Sequence, residues 1–218
     1  PAWSPDGERL AFVLVHTVSG GLDDALYVRR IADGETQRLT PGPGHRYWPA
    51  WSPDGEEIVY VEDGEPTRLA VVDAAGEGLG DVRYIETGGA PVGAPAWSPD
   101  GEWIAWVGED RGLLIARPDG ADLQRVAEGA WGRPAWSPDG GAIAYQSEAA
   151  GRSSAIIDPQ ARRVLTLVGI DGHQLTWSPT GWWIAYARAG SIYAAHPDGT
   201  GEYRIATPPY EAGWIKGD

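Results

Sequence analysis

Seven letters, Pro-Ala-Trp-Ser-Pro-Asp-Gly, open the chain at 1–7 and return at 49–55, 95–101 and 134–140. A looser copy, Leu-Thr-Trp-Ser-Pro-Thr-Gly, spans 175–181. The tryptophans Trp3, Trp51, Trp97, Trp136 and Trp177 are therefore 48, 46, 39 and 41 residues apart. A period of about 40–45 residues is that of a propeller, in which each repeat is one four-stranded blade. Ser-Pro-Asp-Gly suits a type I turn, with Pro presetting φ, Ser and Asp bonding locally and Gly closing. The tryptophan before it is expected to point inward as an apolar wedge, worth upwards of about 2 kcal/mol when buried. A ring of aspartate ligands is the sharper reading of the repeated Asp. Turn chemistry is the stronger one, because Thr180 replaces the Asp in the fifth copy without loss of the turn signal.

The strand after each motif aligns as RLAFV, EIVYV, WIAWV, AIAYQ and WIAYA. Leu10, Ile58, Ile104, Ile143 and Ile184 form one column. Two residues on stand Phe12, Tyr60, Trp106, Tyr145 and Tyr186, with Ala11, Val59, Ala105, Ala144 and Ala185 between. Large side chains on one face and small ones on the other, at period two, describe a strand buried on both sides. Asp-Gly at 33–34, 119–120 and 198–199 marks further hairpins. The expected class is all-β: one propeller over 1–218, of four-stranded antiparallel blades. Its repeats are placed at about 1–44, 45–90, 91–129, 130–170 and 171–209. Five blades are preferred, or six if further or partner sequence completes the ring. Trp214 follows Trp177 by 37 residues, so 210–218 reads as a closing strand or the first strand of a next blade. Closure would remove exposed sheet edges.

The net charge is −14 and the pI about 4.6. A nucleic-acid binder carries a basic face, so no nucleic-acid partner is expected. There is no Cys, which excludes disulfides, thiolate metal sites and Cys nucleophiles. There is no Met, so a processed or trimmed chain is expected, with any signal peptide upstream of Pro1. No apolar run reaches membrane-spanning length, and no direct membrane insertion is expected.

Repeated Pro-Ala-Trp-Ser-Pro-Asp-Gly, followed by an Ile-Ala-aromatic strand and a hairpin closed by Asp-Gly, resembles the TolB-type β-propeller repeat over nearly the whole chain. Related repeats form the propellers of TolB, of tricorn-like proteases and of prolyl-oligopeptidase-type peptidases. The resemblance is specific for fold and weak for chemistry. It implies a non-catalytic interaction or scaffold propeller in an extracytoplasmic assembly, periplasmic or secreted. The alternative is an accessory, substrate-gating propeller of a peptidase whose catalytic domain lies outside these residues.

No Gly-x-Ser-x-Gly occurs, so no nucleophile elbow of a serine peptidase is present. A channel glycosidase would need paired carboxylates on the innermost strands. Those strands, read as HRYWPAW, PVGAPAW, AWGRPAW and GHQLTW, hold no acid; Asp171 and Glu211 only flank them. The four histidines show no metal-ligand spacing. No catalytic residue, metal or cofactor is assigned. What remains is a face: His45, Arg46, Tyr47, Trp48, Trp131, Arg133, His173 and Gln174 lead into the innermost strands. Aromatics with Arg are enriched at binding hot spots. This set is expected to surround one channel mouth and to take a protein or peptide. For Trp48 and Trp131, packing between blades is the competing expectation.

Overall fold

The computed structural model describes residues 1–18, 21–42, 44–76, 78–148, 153–160, 163–168 and 173–206. Twenty strands and no helix lie among the described residues, in five four-stranded antiparallel sheets. Strands follow chain order within every sheet. Blade one is Ala2–Trp3, Arg9–Val18, Gly21–Arg30 and Thr36–Arg38. Blade two is His45–Trp51, Glu57–Asp63, Arg68–Asp73 and Val82–Ile85. Blade three is Ala96–Trp97, Ile104–Val107, Leu113–Ala116 and Gln124–Ala127. Blade four is Ala130–Trp136, Ile143–Ser147, Ser153–Asp158 and Arg163–Val168. Blade five is His173–Trp177, Ile184–Arg188, Ser191–Ala195 and Tyr203–Ala206. The 210–218 segment lies outside the described residues.

The repeated turn explains the repeated register. In blade two the Ser52 hydroxyl accepts the Glu57 N–H at 2.9 Å and donates to Asp54 Oδ1 at 2.5 Å. Asp54 Oδ1 also accepts the Glu56 N–H at 3.0 Å, and the Gly55 N–H reaches the Ser52 carbonyl at 3.0 Å. Gly55 sits at φ 75°, a left-handed conformation that a Cβ disfavours. Blades three and four repeat the Ser–Asp bond at 2.5 and 2.6 Å. The aspartates thus belong to turns. In the fifth copy Ser178 and Thr180 hydroxyls stand 3.2 Å apart and the turn is kept. Each turn sets the motif Trp opposite the first apolar column: Trp51↔Ile58, Trp97↔Ile104, Trp136↔Ile143 and Trp177↔Ile184.

The tryptophans also tie blade to blade. The indole N–H of Trp51 donates to the Ala2 carbonyl at 3.0 Å. Trp97 donates to Ala50 at 3.1 Å, Trp136 to Ala96 at 3.2 Å and Trp177 to Ala135 at 3.0 Å. Each Pro-Ala-Trp thereby receives a bond from its successor and donates one to its predecessor. A buried indole N–H usually takes such an acceptor.

Four apolar cores fill the spaces between successive blades. Ala11, Leu26 and Val28 of blade one meet Ile58, Tyr60 and Val72 of blade two. Val59, Val61 and Leu69 then meet Ile104, Trp106 and Leu114. Ala105, Leu113 and Ile115 meet Ile143, Tyr145 and Ile157. Ala144 and Ile156 meet Ile184, Tyr186 and Ala195. The aromatic column faces the preceding blade and the small column faces the next, which is why both faces of these strands are apolar.

Candidate functional site

The innermost strands and the turns that follow them surround a hollow of about 900 Å³. Its wall is the motif itself: Pro1-Ala2, Pro49-Ala50, Ala96, Pro134-Ala135 and Leu175-Thr176. Pro5, Pro99, Pro138 and Pro179 of the turns line it as well. Arg133 is the single charged side chain among the described lining residues.

The wall ends at a series of bulges. Pairing between the first two strands slips between Tyr47 and Ala50, between Trp131 and Ala135, and between His173 and Thr176. One residue at each slip takes a left-handed conformation: Trp48 at φ 52°, Gly132 at 74° and Gln174 at 59°. A bulge bends its strand and re-aims side chains, and bulges gather at rims and binding sites. Positive φ at Trp48 and Gln174 costs conformational energy that the surrounding pairing must hold. Trp48, Arg133 and Gln174 occupy the same motif position, the residue before Pro49, Pro134 and Leu175.

The eight residues named from sequence fall into distinct places. Arg133 and Gln174 line the hollow. Arg133 has no ion-pair or hydrogen-bond partner among the described residues. It is exposed, and the surrounding protein lowers its pKa by desolvation. It stays charged at neutral pH. Tyr47 and Trp48 are exposed, with ring centroids 5.9 Å apart. Trp131 is half-buried beside a smaller hollow of about 290 Å³, with Glu109, Arg111 and Glu148. Its indole N–H is buried without a partner among the described residues. His45 Nδ1 lies 2.9 Å from Asp24 Oδ2. Arg46 is buried: it pairs with Glu62 at 3.2 Å and donates to the Asp24 and Pro41 carbonyls at 3.1 and 2.9 Å. Arg46 thereby ties blade two to the loop edge of blade one. His173 begins the innermost strand of blade five, and its side chain is outside the described part.

Sequence reasoning missed Asp24 and Glu62, which hold His45 and Arg46; no local signal links residues so far apart in the chain. It also missed the Pro-Ala wall, whose signal was the motif read only as turn and core. No carboxylate lines the hollow among the described residues. Asp171 and Glu211 lie outside the described residues. Among the described residues no three His, Asp or Glu side chains are grouped to hold a metal ion.

Solved structures share this architecture. TolB from Acinetobacter baumannii superposes with a TM-score of 0.70 at 20% identity, covering 92% of this chain and 53% of that one. A putative TolB from Agrobacterium tumefaciens gives 0.64 at 20% identity, covering 79% of this chain and 65% of that one. A nidogen/laminin complex gives 0.66 at 14% identity, covering 94% of this chain and 77% of that chain. The chain thus spans about half of the first and about two thirds of the second. No curated protein sequence matches it. The TolB beta propeller domain model matches residues 1–181. With that match over most of its length, on five blades built from the repeated motif, the chain belongs to the TolB β-propeller domain family.

Proposed function

We propose that this propeller is a non-catalytic protein-binding module of an extracytoplasmic assembly, periplasmic or secreted. It takes a carboxylate-bearing protein segment at the bulged channel mouth. The observation that carries this is Arg133, a cation with no ion-pair partner, on a wall that holds no carboxylate among the described residues. A guanidinium there is matched by a peptide carboxylate, which it can bind through two parallel hydrogen bonds. Gln174 offers a second polar contact beside it. Tyr47, Trp48 and Trp131 supply aromatic area, with His45 and His173 at the starts of their strands and Arg46 as internal support. The nidogen/laminin neighbour is a protein complex, which supports a protein partner for this architecture. The competing reading, an accessory propeller of a prolyl-oligopeptidase-like or tricorn-like peptidase, draws on the open hollow alone.

The test is selection from a displayed peptide library against wild-type protein, followed by affinity measurement. Enriched peptides are expected to carry an acidic or C-terminal carboxylate. Arg133→Gln is expected to weaken them about 10- to 100-fold, the loss of a charged hydrogen bond. Trp48→Ala should weaken them too, while Trp182→Ala, 70% exposed after the turn of blade five, should not. Equal binding by wild type and Arg133→Gln would refute the site.

A further inference from the structure

The repeat makes each seam between blades a measure of the next. Between blades one and two, the Arg9 guanidinium occupies a seat of four parts. It donates to the Gly55 carbonyl at 2.8 Å and to the Ala74 carbonyl at 3.2 Å. It lies 4.7 Å from the centre of the Trp51 ring and 3.7 Å from the Asp6 carboxylate. Between blades two and three a different arginine serves the same end. Arg83, from the outermost strand of blade two, donates at 3.0 Å to the carbonyl of Pro118, the counterpart of Ala74. It is held there by Glu57, at 2.6 and 2.7 Å. Glu57 stands at the Arg9 position, the second residue after the motif glycine.

Between blades three and four, neither arginine has a counterpart. Trp103 stands at the Arg9 position, and register places Gln124 at the Arg83 position, opposite Ile115 as Arg83 is opposite Val71. A hollow of about 240 Å³ opens there. Its lining repeats every part of the Arg9 seat: Gly140 for Gly55, Pro159 for Ala74, Trp136 for Trp51 and Asp100 for Asp6. Trp51 is buried beneath Arg9, whereas Trp136 is half-buried. Glu102 adds a second carboxylate, and no cation lines the hollow among the described residues. Arg117 is engaged beside it, donating to Glu102 at 2.7 Å and lying 4.3 Å from the centre of the Trp103 ring.

We infer that this hollow is a guanidinium seat, and that its occupant is an arginine side chain of a protein partner. A guanidinium is flat and carries five donors in its plane, so it stacks on an indole while its edge donates to carbonyls. The seat offers that combination, with Asp100 and Glu102 to balance the charge. A neutral or acidic side chain would leave those groups unmatched. The two neighbouring seams show the protein's own arginines meeting the same kind of backbone acceptor. The inference stands apart from the carboxylate site at the channel mouth. Of the residues lining the seat only Trp136 also borders the central hollow, and the charge sought is opposite.

Nuclear magnetic resonance of the tryptophan indole N–H groups tests this on the 218-residue protein. The probe is the blocked tripeptide acetyl-Gly-Arg-Gly-amide. The Trp103 and Trp136 signals, assigned from Trp→Phe variants, are expected to shift and saturate as it is added. The same tripeptide with citrulline, a neutral isostere of arginine, should bind at least about tenfold more weakly, for want of charged hydrogen bonds. Trp103→Arg and Gln124→Arg each fill the seat from within, copying Arg9 and Arg83. Both should abolish the Trp136 response, while unchanged signals from Trp51 and Trp177 establish that the variants fold. The absence of a saturable shift with the arginine peptide up to about 10 mM would overturn the inference. So would equal binding of the citrulline peptide, or undiminished binding by both folded variants.

Discussion

At the residue scale, the motif tryptophan of repeats two to five does two jobs. Its ring fills the space between blades and its N–H crosses to the neighbouring backbone, as in Trp97 to Ala50 at 3.1 Å. Trp97→Phe keeps most of the apolar area and removes the bond. A net hydrogen bond is worth about 1 kcal/mol, so the urea-unfolding free energy should fall by about that amount. The aspartates of the turns are held ionised. The Ser52 hydroxyl, then the Glu56 N–H, keep the Asp54 carboxyl below its ordinary value, and Asp139 is held likewise by Ser137 and Gly141. Their folded-state pKa values lie below the unfolded value of about 3.9. The stability they contribute is therefore present above that value and is lost as pH falls through the folded-state pKa. Unfolding midpoints of wild type and Asp54→Asn should converge as pH drops below the unfolded value of about 3.9 and through the lower folded-state pKa. A gap that stays constant over that range would count against the turn as the source.

At the element scale, the innermost strand is decided by its bulge. In blade four the slip between Trp131 and Ala135 is made by Gly132, at φ 74°. A Cβ there would collide with the Gln146 side chain and force a left-handed alanine. Gly132→Ala is expected to destabilise by about 1–3 kcal/mol. It should lower the melting temperature by about 2–4 °C per kcal/mol for a domain of this size. It should also weaken peptide binding through Arg133, the next residue, which a strain remote from the site would not do. The strands themselves were legible from alternation and Asp-Gly turns. The bulges were not, because a slip of one residue leaves composition unchanged while turning the side chains beyond it.

At the scale of the whole molecule, stability is shared between neighbours, as in any repeat array. Trp106, fully buried between blades two and three, sits in the middle of that chain of cores. Trp106→Ala is expected to cost about 3–5 kcal/mol in denaturant unfolding, through the cavity it leaves. The acidic surface, −14 in net charge, adds self-repulsion that salt screens.

The sequence by itself determined the blades. Turn chemistry acts over four residues and strand burial over a period of two, so both are written locally in every copy of the motif. The tertiary structure decided the site. Arg46 and Arg133 are alike as letters, each leading into an innermost strand. Arg46 is neutralised by Glu62 and folded into the protein, while Arg133 meets no carboxylate among the described residues and lines the hollow. That difference depends on which side chains other strands bring within about 4 Å, and such pairings have no local signature.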